Sequence, residues 1–227
     1  MANSALIFGE SKTGKSTSIE KLDPATTFII NVADKPLPFR GWRSKYVPFN
    51  SKEKTGNIIS IRRVDHILKV LDIIDKEMPH VKTIVLEDFQ YMSAFEFMLR
   101  IKENGYNKFN DIASNILTVA SIKPQEMRKD LIIFYLNHEE DEVDDKGVVK
   151  IRAKTCGKLI NKLITFEGLF TTVLRSNNRS GEKGIEYFFE TQSNGTTTAG
   201  TPKGMFEEVE IPNDLELVRK AIIDYEQ

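Results

Sequence analysis

The sequence predicts an α/β fold built on a mostly parallel sheet, and three observations support this. The pattern G-x-x-x-x-G-K-[ST] occupies residues 9–16 and directly follows a short apolar run at 4–8. A second apolar run at 81–86, rich in β-branched residues, ends in the carboxylates Glu87 and Asp88. Around these runs, stretches with apolar residues at helical spacing alternate with further β-rich runs, which is typical of strand–helix–strand units.

Residues 9–17, which we call the P-loop, have the composition of a phosphate-binding loop. Gly9 and Gly14 let the backbone adopt positive φ and approach a phosphate, so that the loop amides form an anion nest. Lys15 supplies charge to the β- and γ-phosphates, and the Ser16 hydroxyl can ligate Mg²⁺. A helix predicted at 16–22 would add its positive dipole end. The predicted nucleotide-binding residues are Gly9, Glu10, Ser11, Lys12, Thr13, Gly14, Lys15, Ser16 and Thr17.

The composition and charge of the chain limit which kinds of ligand and which cysteine chemistry we expect. The 227 residues are 40% hydrophobic and 29% charged with a formal net charge of −1, so nucleic acid would have to bind through a local patch. Cys156 is the only cysteine, which excludes an intrachain disulfide and favours a small buried side chain over a nucleophile. We expect no membrane span and no signal peptide.

The carboxylates after the 81–86 run form the second candidate site element. In a parallel sheet they would lie at the carboxyl end, beside the phosphates, where they can bind Mg²⁺ or orient the attacking water. Because Glu87 comes directly after the run, we expect Glu87 on the metal side, with Asp88 or Gln90 orienting the attacking water. The spacing does not decide between Glu87 and Asp88, and Asp88 could also cap the next helix.

A later apolar run at 131–136 is predicted to be another buried strand, and it ends in Asn137 and His138. A polar side chain at this position would face the γ-phosphate and could sense it. The candidate catalytic residues are therefore Lys15, Glu87, Asp88, Gln90 and His138. The candidate metal ligands are Ser16, Glu87 and Asp88.

Two segments combine basic and aromatic side chains in a way that suits single-stranded DNA. The candidates in the first segment are Arg100, Lys102, Tyr106, Lys108 and Phe109. Those in the second segment are Lys150, Arg152, Lys154 and Lys158. The alternatives are a helix–helix turn with buried aromatics for the first and a solvated hairpin for the second.

The last third of the chain predicts smaller elements within one domain that spans 1–227. A short helix is predicted at 157–166, and β-rich runs at 169–174 and 185–191 predict a loose antiparallel hairpin. The stretch 193–204, rich in Thr and Gly, is predicted to be a mobile loop. Residues 213–227 predict a C-terminal helix.

With these landmarks placed, the chain resembles phage-encoded ATPases that keep only the RecA-type core, several of which are single-strand annealing recombination proteins. The resemblance rests on GESKTGKST, NVADKPLPFRGW, TIVLEDFQYM, LNHEE and TTTAGTPKGMFEEVEIP, and it spans almost the whole chain. It implies a RecA-like P-loop NTPase core with an antiparallel edge hairpin, in the cytoplasm of the host cell. It also implies ATP and Mg²⁺ as cofactors.

The resemblance further implies single-stranded DNA as a partner and a homo-oligomer, either a ring or a filament. A phage replication protein or a single-strand-binding protein is a further candidate partner. Family members tend to carry a lysine after the position of Ala199 that reaches a neighbour's γ-phosphate. Gly200 stands there in this sequence, and Lys203 could replace it. Arg175 and Arg179 are other candidates for this role.

Two other function classes stay open at this point. One is a nucleotide-dependent switch or helicase-loader-like scaffold that contacts a protein partner instead of DNA. The other is a small-molecule kinase, for which the sequence offers no obvious lid arginines. A slow, Mg-dependent ATPase activity that DNA stimulates would favour the recombination function over these two alternatives.

Overall fold

A sheet of nine strands runs through the computed structural model, which describes residues 1–143, 147–155, 165–182 and 184–226. The strands are β1 (Asn3–Gly9), β2 (Thr27–Asn31), β3 (Ile58–Ser60), β4 (Thr83–Glu87), β5 (Ile132–Val143), β6 (Val149–Ala153), β7 (Thr172–Gly181), β8 (Gly184–Glu190) and β9 (Glu210–Pro212). The α-helices of these ranges are α1 (Trp42–Lys45), α2 (Val64–Glu77), α3 (Gln90–Leu99), α4 (Asn107–Leu117), α5 (Lys123–Glu126) and α6 (Leu215–Tyr225).

The strand order is β3-β2-β4-β5-β1-β7-β8-β9, with β6 paired to the outer part of β5. The pairs from β3 to β7 are parallel, whereas β7–β8, β8–β9 and β5–β6 are antiparallel. This confirms the predicted α/β fold with a mostly parallel sheet and an antiparallel hairpin at one edge. Because parallel strands need crossover connections, the chain passes repeatedly over the two faces of the sheet.

The core forms on both faces, because successive side chains of a strand point in opposite directions. Leu6 and Phe8 of β1 belong to a buried apolar cluster that includes side chains of α2 and α4. Ala5 and Ile7 belong to a second cluster, which includes side chains of α6. The middle strands are therefore covered on both sides, and the ends of the strands are left to form sites.

The element after the P-loop differs from the prediction. A helix was expected at 16–22, but the structure has a 3₁₀ helix of five residues, Thr17–Lys21. Leu22 is already extended, and Asp23 and Pro24 prevent continuation. A turn this short contributes little macrodipole, so phosphate binding depends on the loop amides and on side chains.

The edge hairpin is longer than the sequence indicated. The predicted β-rich runs end at 174 and begin again at 185, but β7 continues to Gly181, and its pairing with β8 ends at Gly181 and Gly184. Arg179 explains part of this, because its guanidinium binds Glu186 on β8 and Glu210 on β9. The predicted strand start at 169 was wrong, since Phe166–Leu169 is a 3₁₀ helix.

The segment 193–204 lies against the sheet, contrary to the expectation of a mobile loop. Backbone hydrogen bonds join Gly200 and Val173 in both directions, and Thr198 N–H donates to the carbonyl of Ile151. Composition suggested mobility, but long-range backbone hydrogen bonds anchor the segment. The C-terminal helix begins after Asp214, whose carboxylate accepts hydrogen bonds from the backbone of Glu216 and Leu217.

Some predictions lie outside the described residues. They concern most of the helix expected at 157–166, together with Cys156 and Lys158. In the described ranges, no helix combines the length and the apolar composition needed to cross a membrane.

Candidate functional site

The carboxyl ends of the parallel strands bring the predicted site residues together. Asn31 at the end of β2 pairs in register with Glu87 at the end of β4, and Gly9 at the end of β1 pairs with His138 on β5. In the sheet order, these strands are neighbours. The P-loop, the carboxylates and the histidine therefore share one edge of the sheet, as the strand-end rule requires.

The P-loop backbone adopts the predicted positive φ at Gly14 but not at Gly9. Lys12 and Gly14 have positive φ values of 70° and 96°. Gly9 is required for a different reason, because a Cβ there would lie 2.3 Å from the carbonyl oxygen of Ser176 on β7. A Cβ at Gly14 would also lie 2.9 Å from Cδ1 of Tyr187 on β8. The edge hairpin thus passes directly over the P-loop.

The Lys15 side chain bends back onto the loop that carries it. Its Nζ donates hydrogen bonds to the carbonyl oxygens of Gly9 at 2.8 Å and Glu10 at 2.5 Å. The residue is buried, and this burial lowers the pKa of Lys15 to about 8 against the attraction of Glu87 and Asp88. A buried cation whose hydrogen-bond partners among the described residues are carbonyls is suited to receive an anion.

Ser16 and Glu87 are in direct contact across the site. The Ser16 hydroxyl donates a short hydrogen bond to Glu87 Oε1. Burial, followed by the neighbouring charge of Asp88, raises the pKa of Glu87 to about 7. Glu87 Oε2 is buried and has no hydrogen-bond partner within the described residues. A hydroxyl beside an unsatisfied carboxylate oxygen is a hard-oxygen donor set that fits Mg²⁺.

Asp88 is held by two groups, and neither is Ser16. Its Oδ2 lies 2.5 Å from Lys35 Nζ, and its Oδ1 lies 3.5 Å from His138 Nε2. Burial opposes ionisation, but the hydrogen bonds from His138 and Lys35 outweigh it and keep the pKa of Asp88 below its usual value. Its positive φ of 57° places Asp88 at a sharp turn after β4. Ser16 therefore contacts Glu87 and not Asp88, and the assignment of Glu87 to the metal side stays a prediction.

His138 connects the remaining candidates. Its backbone N–H donates to Gln90 Oε1 at 3.2 Å, and its ring Nδ1 lies 3.4 Å from the hydroxyl of Ser11 in the P-loop. The ring also meets the Tyr91 ring edge-on, at 5.9 Å between centroids. All five residues predicted to be catalytic thus lie at one place, although their roles stay predictions.

A cavity of about 590 Å³, the P-loop cavity, opens at this place. Its lining includes Ser11, Lys12, Gly14, Lys15, Ser16, Thr17, Lys35, Pro36, Pro38, Glu87, Asp88, His138 and Tyr187. Lys35 and Tyr187 were not singled out from the sequence. The strand-end rule could have identified Lys35, since it follows β2 closely. Tyr187 comes from a strand far along the chain, and no local pattern signals its position.

The first predicted DNA segment is largely engaged within the chain. Arg100 forms ion pairs with Glu96, Glu103 and Asp111. Lys108 is buried, and its Nζ donates to the carbonyl of Glu103 at 2.8 Å. These two cations close the turn between α3 and α4, so the assignment of their charges to DNA phosphates needs correction.

The other side chains of this segment have mixed environments. Tyr106 is 84% exposed and Lys102 is also exposed, so both could meet a ligand. Phe109 is partly covered and lies 5.8 Å from the Phe97 ring. Phe109 is 36% exposed and Tyr106 more so, and the aromatic side chain near this turn that packs on the core is that of Phe97.

The basic side chains of the second predicted DNA segment also have mixed environments. Arg152 is buried and pairs with Glu142 and Glu167, so it holds the β5–β6 hairpin together and is not a free phosphate ligand. Lys150 and Lys154 are exposed. Lys154 also lines a cavity of about 570 Å³ that includes His138 and Gln90. This cavity directly joins the second segment to the candidate catalytic residues.

The basic residues predicted to act on a neighbouring subunit lie in different environments. Arg175 is bound to Glu139 and Glu190 of its own chain. Lys203 is exposed. Met205, two residues later, contacts Thr172 at the start of β7, so this segment lies towards the end of the sheet opposite the P-loop. Lys203 therefore does not line the P-loop cavity of its own chain, and its action on a neighbouring subunit stays a prediction.

Comparisons with known proteins add little to this geometry. No family model matches the chain, and no curated protein matches it. Solved structures do match, and one of them is a KaiC-like protein from the hyperthermophilic archaeon Pyrococcus horikoshii OT3. The match has 14% identity, covers 88% of this chain and 82% of that one, and has a TM-score of 0.47. A likeness at this level carries no argument about activity, and the fold described above rests on the strand order.

Proposed function

We propose that this protein binds Mg–ATP in the P-loop cavity and hydrolyses it slowly. The observation that carries the proposal is the contact of Ser16 with Glu87 beside the buried Lys15. Three separate parts of a phosphate site converge there: the loop amides, a buried cation and a hydroxyl–carboxylate pair. The Ser16 hydroxyl and the Glu87 carboxylate would hold Mg²⁺, which supplies charge neutralisation to the phosphates when it is bound.

The surrounding side chains support hydrolysis. Because its pKa is lowered, Asp88 is ionised at neutral pH and can accept a hydrogen bond from a water molecule. The backbone N–H of His138 donates a hydrogen bond to the side chain of Gln90, and the His138 ring contacts Asp88 and Ser11. Positioning of this kind contributes most of the rate in phosphoryl transfer, where the protein does little covalent chemistry.

The test is calorimetric titration of the Lys15→Ala variant with Mg–ATP. We expect a loss of affinity of at least about tenfold, because a hydrogen bond to a charged group contributes about 1.5–3 kcal/mol. Lys69→Ala, which removes an exposed lysine from α2, is the control and should bind like the wild type. Unchanged affinity in Lys15→Ala would refute the nucleotide site.

We also propose that single-stranded DNA stimulates this activity and that the biological role is recombination or annealing, as in the phage ATPases that the sequence resembles. The support is local, since the exposed Lys150 and Lys154 lie on the hairpin that continues from His138. Tyr106 offers an exposed ring for base stacking. The net charge of −1 gives no general attraction for DNA, so these side chains would have to suffice.

A specific observation favours a protein partner as the second candidate. Near the end of α3, Met98, Leu99 and Ile101 are 60%, 75% and 51% exposed. An exposed apolar group suits a protein surface better than a phosphate backbone. This arrangement is what a nucleotide-dependent switch or a loader-like scaffold would need.

The ATPase rate with and without single-stranded DNA separates the two candidates. DNA stimulation should weaken steeply with salt, because bound phosphates release counterions. The double variant Lys150→Ala/Lys154→Ala should lower the salt slope by about one for each lysine that contacts a phosphate. A rate that does not respond to DNA at low salt would favour the protein partner.

A further inference from the structure

The backbone of Lys35 is clamped at the edge of the P-loop cavity. The buried Asn31, the last residue of β2, donates from Nδ2 to the carbonyl of Lys35 at 2.6 Å. Its Oδ1 accepts from the backbone N–H of the same lysine at 3.3 Å. Asp34 has a positive φ of 57° and Pro36 follows, so the turn is held on both sides. This geometry fixes where the Lys35 side chain starts.

The Lys35 side chain, in contrast, has one strong partner and much freedom. Its Nζ lies 2.5 Å from Asp88 Oδ2 and 5.7 Å from the centre of the Tyr91 ring. The side chain of Lys35 is 55% exposed, whereas that of Asp88 is 6% exposed. An exposed lysine can exchange one anionic partner for another with small loss, because water and its flexible stem accommodate the change.

The charged side chains that line the cavity explain why Lys35 would exchange Asp88 for a phosphate. The lining contains three lysines, Lys12, Lys15 and Lys35, and the two carboxylates Glu87 and Asp88. A triphosphate brings several negative charges close to the two carboxylates, which would be unfavourable without additional cations. Since Asp88 keeps a second partner in His138, it can release Lys35 without being left alone.

The position also indicates which phosphate is concerned. Lys15 follows Gly14 in the loop and is suited to the β- and γ-phosphates. Lys35 meets Asp88, which contacts His138, and His138 contacts Ser11 at the beginning of the loop. These contacts link Lys35 through Asp88 and His138 to Ser11 in the P-loop, which is consistent with a phosphate at the end of the chain that Lys15 binds.

We propose that Lys35 is a second phosphate-binding lysine, which is paired with Asp88 before nucleotide binds and with the terminal phosphate of a nucleoside triphosphate afterwards. The inference rests on the proposed ATP site and assigns it a triphosphate-selective group. By leaving Asp88 when a triphosphate is bound, Lys35 would also make the Asp88 carboxylate accessible to water. A diphosphate would leave the Lys35–Asp88 pair intact.

The first test compares dissociation constants for Mg²⁺ complexes of ADP and of a β,γ-imido analogue of ATP. In Lys35→Gln we expect affinity for the triphosphate to fall about tenfold or more, and affinity for ADP to fall less than about threefold. Lys35→Arg should retain most of the preference, because it keeps the charge. Equal losses for both nucleotides, or no loss, would overturn the inference and indicate a structural ion pair.

A second test uses the wild-type protein and so does not depend on a variant that folds. Lysines are acetylated with limiting acetic anhydride, and the modified fraction of Lys35 is measured by mass spectrometry, with the exposed Lys69 as an internal reference. The triphosphate analogue with Mg²⁺ should protect Lys35 several-fold better than Mg–ADP does. Equal reactivity in both complexes would refute the assignment. Wild-type protein that binds neither nucleotide would refute the proposed ATP site itself.

Discussion

Ser176 in β7, the inner strand of the antiparallel hairpin, donates a hydrogen bond to the carbonyl of Thr13 in the P-loop, with 2.7 Å between the serine Oγ and the threonine oxygen. Both residues are buried, and Asn213 donates to the same serine hydroxyl at 3.1 Å. Asn178 adds a bond from Nδ2 to the carbonyl of Lys12 at 3.2 Å. The antiparallel hairpin therefore does more than close the sheet, because it fixes the backbone of the candidate phosphate site.

Ser176→Ala should weaken both the fold and the nucleotide site. The substitution leaves the Thr13 carbonyl without this donor in a buried position, which costs about 1–3 kcal/mol. We expect the free energy of unfolding in urea to fall by that amount and Mg–ATP affinity to fall several-fold. Ser44→Ala removes a comparable hydrogen bond to the carbonyl of Gly41 at an exposed site and should change neither quantity much. Equal effects of the two substitutions would contradict the proposed anchoring.

Gly9→Ala should disrupt the contact between the P-loop and β7. Its Cβ would lie 2.3 Å from a backbone oxygen, which cannot move away as a flexible side chain could. Overpacking of this kind costs about 3 kcal/mol, and the hairpin would have to shift. Gly168→Ala is the matched control, because its Cβ would meet nothing closer than 3.6 Å. Thermal unfolding of the two variants measures the difference, and similar melting temperatures would show that the close approach is unimportant.

Glu87 predicts a pH dependence of stability. Its pKa in the folded protein is about 7, above its ordinary value of 4.5, so between these two pH values the folded state binds a proton that the unfolded chain has lost. The free energy of unfolding should therefore fall as the pH rises through this interval. Glu87→Gln removes this titration and should lose less stability than the wild type, whereas the exposed Glu20→Gln should follow the wild type. Urea unfolding at about pH 5 and 7.5 tests this. A wild-type stability that rises relative to Glu87→Gln would show that the sign is wrong.

Lys203 should contribute to turnover only between subunits. Lys203→Ala subunits have an intact P-loop, and Lys15→Ala subunits have an intact Lys203. A mixture of the two should therefore regain ATPase activity, since a charge supplied in trans can raise phosphoryl transfer by about 10³–10⁵. The measurement is ATPase rate against mixing ratio, with light scattering to follow assembly. A mixture no more active than its separate components, with monomers in the presence of ATP, would exclude a shared site.

The parts of the site that adjoin one another in sequence could be predicted from the sequence. The P-loop and the Glu87–Asp88 pair are local patterns, and the ends of parallel strands converge for any sequence that forms such a sheet. This is why His138 and Gln90 lie near them, although the roles predicted for these two residues stay predictions. The strand–helix alternation likewise predicted the fold class, because hydrophobic periodicity is a local property.

The sequence by itself determined where a phosphate could bind, but only the tertiary structure decided what surrounds that place. Thr13 and Ser176 are 163 residues apart, and no periodicity links them. The same is true of Lys35 with Asp88, and of Tyr187 over Gly14. Arg100 and Arg152 looked available to DNA because a sequence shows charge and not its partners, and the folded chain engages both with carboxylates. Contacts of this kind depend on strand order and register, which are set by the packing of the whole sheet.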